Sequence, residues 1–302
     1  MRIVSFNICG IRSVLSFDPW RQQKSFEHMF DVLDADIVCF QETKIQQRDL
    51  TVSTAKIKGF DCFYTFAAKR GYSGVSIYIR SSKLYAIKAE EGLTGYLGGT
   101  VPYRDQTDSI GGYPDIDPFT AREIDSEGRA LVIDVGYFVL IGLYCPADSM
   151  GTKSDFRKSF FEILDLRVRN LIRQGKSVVV LGDINIIRDE IDTADPAQNM
   201  KQNGISSFKQ TFARSLLDQL LFPHQNGVLH DLCRHFHPQR KGMFTCWNTL
   251  INARPSNYGS RIDYIFCSDD LLHAFTNADI RPDLNGSDHC PIYADFDPDR
   301  IE

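Results

Sequence analysis

Short runs of hydrophobic residues recur along the whole chain, and most have the length and β-branched content of strands. Some runs, such as residues 178–181, are apolar at successive positions, as in strands covered on both faces, whereas residues 74–79 alternate. Ten predicted strands imply two sheets packed together. They lie at 2–7, 36–41, 60–66, 74–79, 130–135, 138–144, 177–182, 243–248, 262–267 and 290–296.

Three segments of helical character lie between these strands, at about 20–34, 153–174 and 205–221. The middle segment begins with Ser154 and Asp155, which are typical of a helix start. Strands that are interspersed with helices predict an α/β or mixed class. No proline-rich linker, low-complexity tract or short repeat divides residues 1–302, so we expect a single domain.

The longest irregular segment, residues 92–118, contains six glycines and three prolines and is predicted to be a long loop. Residues 104–127 hold two basic and seven acidic side chains, a net charge of -5. The whole chain, with 34 basic and 39 acidic residues, also has a net charge of -5, so the remainder is neutral. A polyanionic partner therefore has to be met by a local basic surface.

The eight cysteines form no CxxC pair, and most lie within apolar runs such as residues 37–40. This pattern predicts reduced, buried thiols in an intracellular protein. No run of 18 apolar residues occurs, and the first residues lack a signal-peptide pattern, so we expect neither secretion nor a membrane span.

Polar side chains follow or precede several apolar runs, where strand ends can bring them into one pocket. They are Asn7, Glu42, Asp183, Asn185, Asp263, Asp288 and His289. The oxygen ligands of Glu42, Asp288 and Asn7 suit Mg²⁺ or Mn²⁺ and suit zinc poorly, which points to phosphate esters as substrates.

The remaining side chains suit the movement of a proton. His289 can exchange a proton near neutral pH, and Asp263 is the natural carboxylate to fix its tautomer. Asp183 can orient or deprotonate water, and Asn185 can donate a hydrogen bond to developing phosphorane charge.

Motifs in the same order along nearly the whole chain resemble the exonuclease III type of apurinic/apyrimidinic endonuclease. They include residues 41–44, 71–75, 128–129, 144–146, 182–185, 252–254, 261–264 and 286–291. The resemblance implies the fold of the endonuclease/exonuclease/phosphatase superfamily. That fold is a four-layered α/β sandwich, in which two mixed β-sheets pack face to face and are flanked by helices.

The resemblance also implies a role for each site residue. Glu42 would be the principal Mg²⁺ ligand, with Asn7 and Asp288 beside it, and Asp183 would serve the attacking water. Asn185 would stabilise the transition state, while the Tyr144 hydroxyl and His289, oriented by Asp263, would contact the scissile phosphate. A second metal position through Asp183, Asn185 and His289 stays open.

The resemblance further implies double-stranded DNA with abasic sites or blocked 3′ ends as substrate. Tyr72, Trp247 and Leu250 occupy the positions that press into the DNA grooves, where apolar wedges are physically reasonable. Cations near the metal site are candidate phosphate contacts. They are Arg12, Lys69, Arg70, Arg254 and Arg261.

The long acidic insertion at about 92–127 resembles that of the eukaryotic second-type abasic endonucleases (APEX nuclease 2). This resemblance implies a nuclear enzyme with 3′ to 5′ exonuclease and 3′-phosphodiesterase activity in addition to abasic-site incision. We expect residues 1–302 to be the monomeric catalytic domain, with a sliding clamp bound through a C-terminal region that lies beyond Glu302. Because its charge would repel phosphates, we expect the insertion to cover a sheet edge without touching DNA.

Three positions differ from the pattern of many relatives, namely Cys9, Ala147 and Ser260. They affect the shape of the pocket and a second metal ligand more than the reaction class. Two other functions stay open, a superfamily phosphoesterase with another substrate and a catalytically silent DNA-binding scaffold. Cys233, His235 and His237 stand at alternate positions and could suggest zinc, but no fourth ligand is evident.

Overall fold

The computed structural model describes residues 1–147 and 153–301. Within these residues fourteen strands form two six-stranded sheets and one two-stranded ribbon. The strands are β1 (Arg2–Asn7), β2 (Ile37–Gln41), β3 (Phe60–Thr65), β4 (Val75–Arg80), β5 (Lys88–Glu91), β6 (Ala130–Asp134), β7 (Val139–Tyr144), β8 (Val178–Asp183), β9 (Leu229–Asp231), β10 (Cys246–Trp247), β11 (Gly259–Ser260), β12 (Asp263–Ser268), β13 (Phe275–Ile280) and β14 (Ile292–Phe296).

Seven α-helices accompany these strands in the described residues, together with short 3₁₀ turns at residues 20–22, 208–210 and 249–251, among others. The helices are α1 (Phe26–Leu33), α2 (Val52–Ala55), α3 (Pro118–Asp125), α4 (Ser154–Arg173), α5 (Pro196–Asn203), α6 (Phe212–Leu220) and α7 (Leu232–Phe236). No described helix combines the length and the apolar character needed to cross a membrane.

The two large sheets have the strand orders β13-β14-β1-β2-β4-β3 and β5-β6-β7-β8-β12-β9. One apolar cluster lies between them, where residues such as Ile3 and Ile77 of the first sheet pack with Leu140 and Leu181 of the second. A second cluster joins the other face of the β5 to β9 sheet to α4 and α6, and a third joins the other face of the β13 to β3 sheet to α1. The predicted four-layered sandwich is therefore confirmed.

The order of parallel and antiparallel strands brings many strand ends to one edge of the sandwich. β1 and β2 run parallel, as do β7 and β8, so all four end at this edge. The antiparallel neighbours β14, β4 and β12 begin there. A single edge thus receives the polar residues that follow or precede these strands.

Gly182 allows the backbones of β7 and β8 to approach each other closely at this edge. Its φ is +142°, and a Cβ at this position would lie 1.9 Å from the carbonyl oxygen of Leu143. No other residue type fits here without moving β7 away from β8. Gly182 therefore fixes the register that places Asp183 opposite Tyr144.

The sequence predictions were wrong at several elements. The predicted helix at 20–34 is a 3₁₀ turn followed by α1, and the predicted strand at 243–248 is confined to β10. β5, β9 and β13 were not predicted, because half or more of the residues in each are charged or polar, as in a loop. The predicted loop at 92–118 adjoins α3, which begins at Pro118 and is capped by Asp117.

The acidic insertion is a packed part of the fold. Leu93, Ile110 and Ile124 belong to the apolar cluster between α4 and the sheet. The buried Asp125 accepts hydrogen bonds from the backbone amides of Leu93 and Thr94, at 2.7 and 3.3 Å. Burial raises the pKa of Asp125 to about 6. Most of the insertion therefore covers the outer face of the β5 to β9 sheet.

Candidate active site

Asn7 joins the two sheets at the shared edge. It is the last residue of β1, and its side-chain amide donates to Oε1 of Glu42 at 3.0 Å and to Oδ2 of Asp183 at 2.9 Å. Asn7 Oδ1 accepts from the backbone amide of Cys9 at 3.1 Å, which fixes the orientation of the side chain. One amide thus holds two carboxylates from two different sheets side by side.

Glu42 immediately follows β2 and has a φ of +53°, a left-handed conformation that non-glycine residues adopt only at a cost. Lys44, also left-handed, places its ammonium group 2.9 Å from Oε2 of Glu42. Burial raises the pKa of Glu42, but the hydrogen bonds from Asn7 and Lys44 outweigh burial and lower it overall. Glu42 is therefore ionised and suited to bind a cation.

Asp183 ends β8 and is buried. Burial raises its pKa to about 7, although His289 and the Asn7 amide act in the opposite direction. Two adjacent carboxyl groups with pKa values displaced in opposite directions are typical of an acid–base site. Glu42 and Asp183 thus differ in protonation near neutral pH.

Asn185 has a φ of +54°, and its backbone amide donates to Oδ1 of Asp183 at 2.9 Å. Its side-chain amide donates to the carbonyl oxygen of Cys145 at 2.9 Å and to Oδ2 of Asp183 at 3.3 Å. Arg157 donates to the Asn185 carbonyl at 2.6 Å. These contacts hold the side chain of Asn185 against Asp183.

His289 and Asp263 form the predicted pair. Nδ1 of His289 lies 2.8 Å from Oδ2 of Asp263, and Nε2 lies 3.9 Å from Oδ2 of Asp183. Burial lowers the pKa of His289, but the negative charge of Asp263 outweighs burial and raises the pKa well above the ordinary value. Asp263 therefore fixes the tautomer, and Nε2 is the atom that faces Asp183.

Thr245 supports this pair and was not predicted from the sequence. Its hydroxyl donates to Oδ2 of Asp263 at 2.6 Å and accepts from the backbone amides of Ile262 and Asp263 at 3.1 and 3.2 Å. Thr245 is part of residues 243–248, but no pattern in the sequence distinguishes its hydroxyl from that of any other strand threonine. Lys44 was also missed as a site residue, although it lies two positions after Glu42.

Tyr144 ends β7 next to Asp183. Burial raises the pKa of its hydroxyl, and the charges of Glu42 and Asp183 raise it further. The hydroxyl therefore keeps its proton and can donate a hydrogen bond. The guanidinium of Arg129 lies 4.8 Å from the ring centroid and donates to the Tyr144 carbonyl at 3.0 Å.

Asp288 lies close to His289 and Cys246. Its Oδ1 accepts from the hydroxyl of Ser287 at 3.0 Å, and within residues 1–147 and 153–301 no hydrogen bond joins it to Glu42 or Asp183. One buried group of possible metal ligands consists of Asp183, Asp263 and His289. The Cys233, His235 and His237 set belongs to neither possible metal cluster among the described residues, and Cys233 is buried.

The predicted DNA contacts divide into two groups. Four of them are exposed, namely Arg12, Lys69, Arg70 and Leu250. The side chain of Leu250 is 94% exposed and stands at the tip of the 249–251 turn. Tyr72 is half-buried, and its hydroxyl donates to Glu127 at 2.7 Å and accepts from Lys153 at 2.8 Å. Glu127 is the last residue of the acidic insertion, so this end of the insertion reaches the predicted DNA surface.

The prediction for Arg261 was wrong. Its side chain is fully buried, and its guanidinium pairs with Asp192 and Asp231 at distances of 2.8 to 3.0 Å. The motif at 261–264 places Arg261 two residues before the site residue Asp263, but Arg261 precedes β12 and its side chain is held in the interior by these two buried carboxylates. It stabilises the fold and cannot reach a phosphate.

Trp247 and Arg254 also differ from their predicted roles as DNA contacts. Trp247 is only 3% exposed and donates through Nε1 to Asn257 at 3.1 Å. Arg254 packs on its ring, with 4.5 Å between the guanidinium carbon and the ring centroid, and donates to the carbonyls of Ser287 and Leu284 at 3.1 and 2.6 Å. The two residues brace the loop that exposes Leu250.

Residues 4–289 match the model of the endonuclease/exonuclease/phosphatase family. The chain belongs to this family. It is 42% identical over 98% of its length to DNA-(apurinic or apyrimidinic site) endonuclease 2 of Schizosaccharomyces pombe, and 38% identical over its full length to the Saccharomyces cerevisiae protein of the same name. The chain spans 58% and 68% of those two relatives.

A solved structure supports the same relationship. The catalytic domain of Xenopus laevis APE2 superposes with a TM-score of 0.84 and 32% identity, over 98% of this chain and 91% of that one. The predicted resemblance to the exonuclease III type, and to its second-type subfamily, is therefore confirmed. The family fold with two mixed sheets and flanking helices is confirmed as well.

Proposed function

We propose that this chain is a metal-dependent DNA repair phosphodiesterase, which hydrolyses DNA 5′ to abasic sites and removes blocking groups or nucleotides from 3′ ends. The observation that carries the proposal is the joint placement of Glu42, Asp183 and His289 around the amide of Asn7 at one edge of the sandwich. The names of the fungal and Xenopus relatives support DNA as the substrate class.

The donor set fits a hard divalent cation. Glu42 is ionised and accepts a hydrogen bond from the side-chain amide of Asn7, which also donates to Asp183. Carboxylate and amide oxygens are the ligands that Mg²⁺ prefers, with Mn²⁺ as a substitute. Glu42 would hold the ion with Asn7 and with either Asp288 or Asp183 as a further ligand, and the bound ion would neutralise charge on the phosphate and the leaving oxygen.

The chain's own residues account for the rest of the chemistry. Asp183 orients an attacking water and accepts its proton, since its pKa lies near neutrality. His289, held by Asp263, carries a positive charge and donates through Nε2 to a phosphate oxygen. The protonated hydroxyl of Tyr144 donates to the same phosphate, and the side-chain amide of Asn185 exchanges its longer hydrogen bond, the one to Asp183 at 3.3 Å, for one to that phosphate.

DNA would bind across the edge that carries these residues. Arg12, Lys69 and Arg70 supply exposed cations, and Leu250 supplies an exposed apolar tip that can enter a groove. The insertion covers the outer face of a sheet, and its last residue supports Tyr72. We also propose that the protein acts as a monomer in the nucleus and works with a sliding clamp.

The test is a time course on two labelled duplexes, one with an internal abasic analogue and one with a recessed 3′-phosphoglycolate end. Mg²⁺, Mn²⁺ and EDTA are compared, and products are sized on a denaturing gel. We expect metal-dependent cleavage of both duplexes. Absence of metal-dependent cleavage from both would contradict the proposal and favour another phosphoester substrate or a silent scaffold.

A further inference from the structure

Cys246 and His289 face each other across a short antiparallel bridge next to the active site. The backbone amide of Trp247 donates to the carbonyl of Asp288 at 2.9 Å, and that of Cys290 donates to the carbonyl of Thr245 at 2.8 Å. These two bonds flank the pair, so Cys246 and His289 occupy a non-hydrogen-bonded position. In such pairs the side chains lie on the same face, with Cβ atoms roughly 4.5 to 5.5 Å apart.

Three ligand atoms of different chemistry converge there. The thiol sulfur of Cys246, a ring nitrogen of His289 and a carboxylate oxygen of Asp288 all lie within 4.8 Å of one another. Two ligands of one tetrahedral zinc ion are separated by roughly 3.3 to 3.8 Å, given bonds of about 2.0 to 2.3 Å. Small side-chain rotations therefore bring the three atoms to a common ion.

The orientation of His289 favours such an ion. Its Nδ1 is bound to Asp263, and Thr245 in turn holds Asp263, so Nε2 is the nitrogen that remains for coordination. A metal-bound histidine almost always donates its second ring N–H to a carboxylate, a backbone carbonyl or water, and Asp263 is such a partner. Cys246 and Asp288 both line a cleft of about 780 Å³, and neither is fully buried, so the ion has a path from solvent.

We propose that Cys246, His289 and Asp288 form a thiophilic metal site, distinct from the Mg²⁺ position at Glu42, that binds Zn²⁺ or Cd²⁺ and inhibits the enzyme. Thiolate and imidazole ligands select zinc, whereas Mg²⁺ avoids sulfur. Binding releases the thiol proton of Cys246 and the Nε2 proton of His289 to solvent. Inhibition follows because the ion occupies Nε2 of His289, the atom that faces Asp183. The inhibitory effect rests on the proposed function, while the binding itself does not.

Binding is tested first, without DNA or Mg²⁺. Co²⁺ is titrated into the whole chain, because a thiolate bound to Co²⁺ gives a charge-transfer absorption band, and Zn²⁺ is then added to displace it. The variant Cys246→Ser removes the proposed sulfur ligand. Cys62→Ser is the matched control, since Cys62 is partly exposed, as Cys246 is, and lies on β3 outside the proposed site.

We expect the band in the wild-type protein and in Cys62→Ser, and its loss in Cys246→Ser. The Zn²⁺ affinity of Cys246→Ser should fall by at least about 100-fold. Removal of a residue that only orients a metal ligand costs about 10- to 100-fold, and loss of a direct ligand should cost at least as much. Cys246→Ala provides a second variant, and circular dichroism checks that each variant folds. A band that persists in a folded Cys246 variant, or no band in the wild type, would overturn the proposal.

Inhibition is tested second, with Zn²⁺ added to the Mg²⁺-loaded enzyme on the abasic duplex. We expect the half-inhibitory Zn²⁺ concentration to rise at least about tenfold in Cys246→Ser, in line with the lost ligand. An unchanged concentration would refute the inhibitory role. If no variant cleaves DNA at all, the proposed function fails, and the Co²⁺ band still decides whether the metal site exists.

Discussion

The side-chain amide of Asn7 lies 2.9 Å from Oδ2 of Asp183, and this hydrogen bond joins the end of β1 in one sheet to the end of β8 in the other. The same nitrogen donates to Glu42. Asn7 therefore sets the distance between the carboxylate that would hold the metal and the carboxylate that would activate water. Geometry at this edge depends on the packing of the two sheets.

Replacement of Asn7 by alanine should reduce activity without unfolding the protein. Because the two carboxylates lose their shared donor, we expect a loss of about 10- to 100-fold in activity or metal affinity, as for other residues that orient metal ligands. A Mg²⁺ titration of cleavage measures both quantities. Ser5→Ala is the control, since Ser5 lies on the same strand and bonds to Gln41 outside the site. Equal activity in the two variants would contradict this role.

The variant Asp183→Asn should lose turnover by about 10²- to 10⁴-fold, the usual contribution of a general base. It should also stabilise the metal-free protein at high pH. The folded-state pKa of Asp183 is about 7, above the ordinary 3.8, so the folded wild type binds an extra proton between these values. The free energy of unfolding of the wild type therefore falls as pH rises through this window.

Thermal denaturation in EDTA at pH 8 and at pH 3.5 tests this stability effect. We expect the asparagine variant to melt above the wild type at pH 8 and to show no difference at pH 3.5, where both forms of the site are neutral. A lower melting temperature for the variant at pH 8 would contradict the prediction that the negative charge of Asp183 destabilises the folded protein.

Thr245 should act through His289. The variant Thr245→Val removes the hydroxyl that donates to Asp263, leaves Asp263 less able to orient the ring, and should lower kcat by about 10-fold or more. Thr245→Ser keeps the hydroxyl and should restore most of the activity. The pH profile of kcat is the decisive readout, because a purely structural defect lowers the rate without moving the profile.

Arg261 and Arg12 should behave in opposite ways. Loss of the buried Arg261 leaves Asp192 and Asp231 without their cation, and Arg261→Ala should cost about 3 to 5 kcal/mol in the free energy of unfolding. Arg12→Ala should leave the free energy of unfolding unchanged. It should weaken DNA binding and reduce by about 1 the slope of the logarithm of the binding constant against the logarithm of the salt concentration. Chemical denaturation and salt-dependent binding measure the two effects. A stable Arg261→Ala protein would contradict the assignment to the core.

The exposed Leu250 should contribute to DNA binding alone. Leu250→Ala is expected to weaken binding of the abasic duplex on the order of tenfold, as for an anchor at an interface, with no change in melting temperature. Ile87→Ala is the control, because Ile87 is 68% exposed and precedes β5 at the opposite end of the sandwich. Equal effects of the two substitutions on binding would exclude a specific role for Leu250.

The sequence predicted the long apolar strands and the site residues at their ends, because hydrophobic periodicity and strand-end polarity are local signals. It could not show that Asn7 bridges Glu42 and Asp183, since that contact depends on how two sheets pack. Thr245 was missed for the same reason. Arg261 was misjudged because its position near Asp263 in the motif does not reveal that Asp192 and Asp231, both far from it in sequence, meet it in the interior.

We propose that Asp183 activates water at a metal-dependent phosphodiesterase site built on Asn7 and Glu42. Single-turnover cleavage of the abasic duplex in Mg²⁺, by the wild type and by folded Asp183→Asn, tests this role. We expect rapid cleavage that EDTA abolishes in the wild type, and a loss of about 10²- to 10⁴-fold in the variant. Cleavage by Asp183→Asn at the wild-type rate would contradict it.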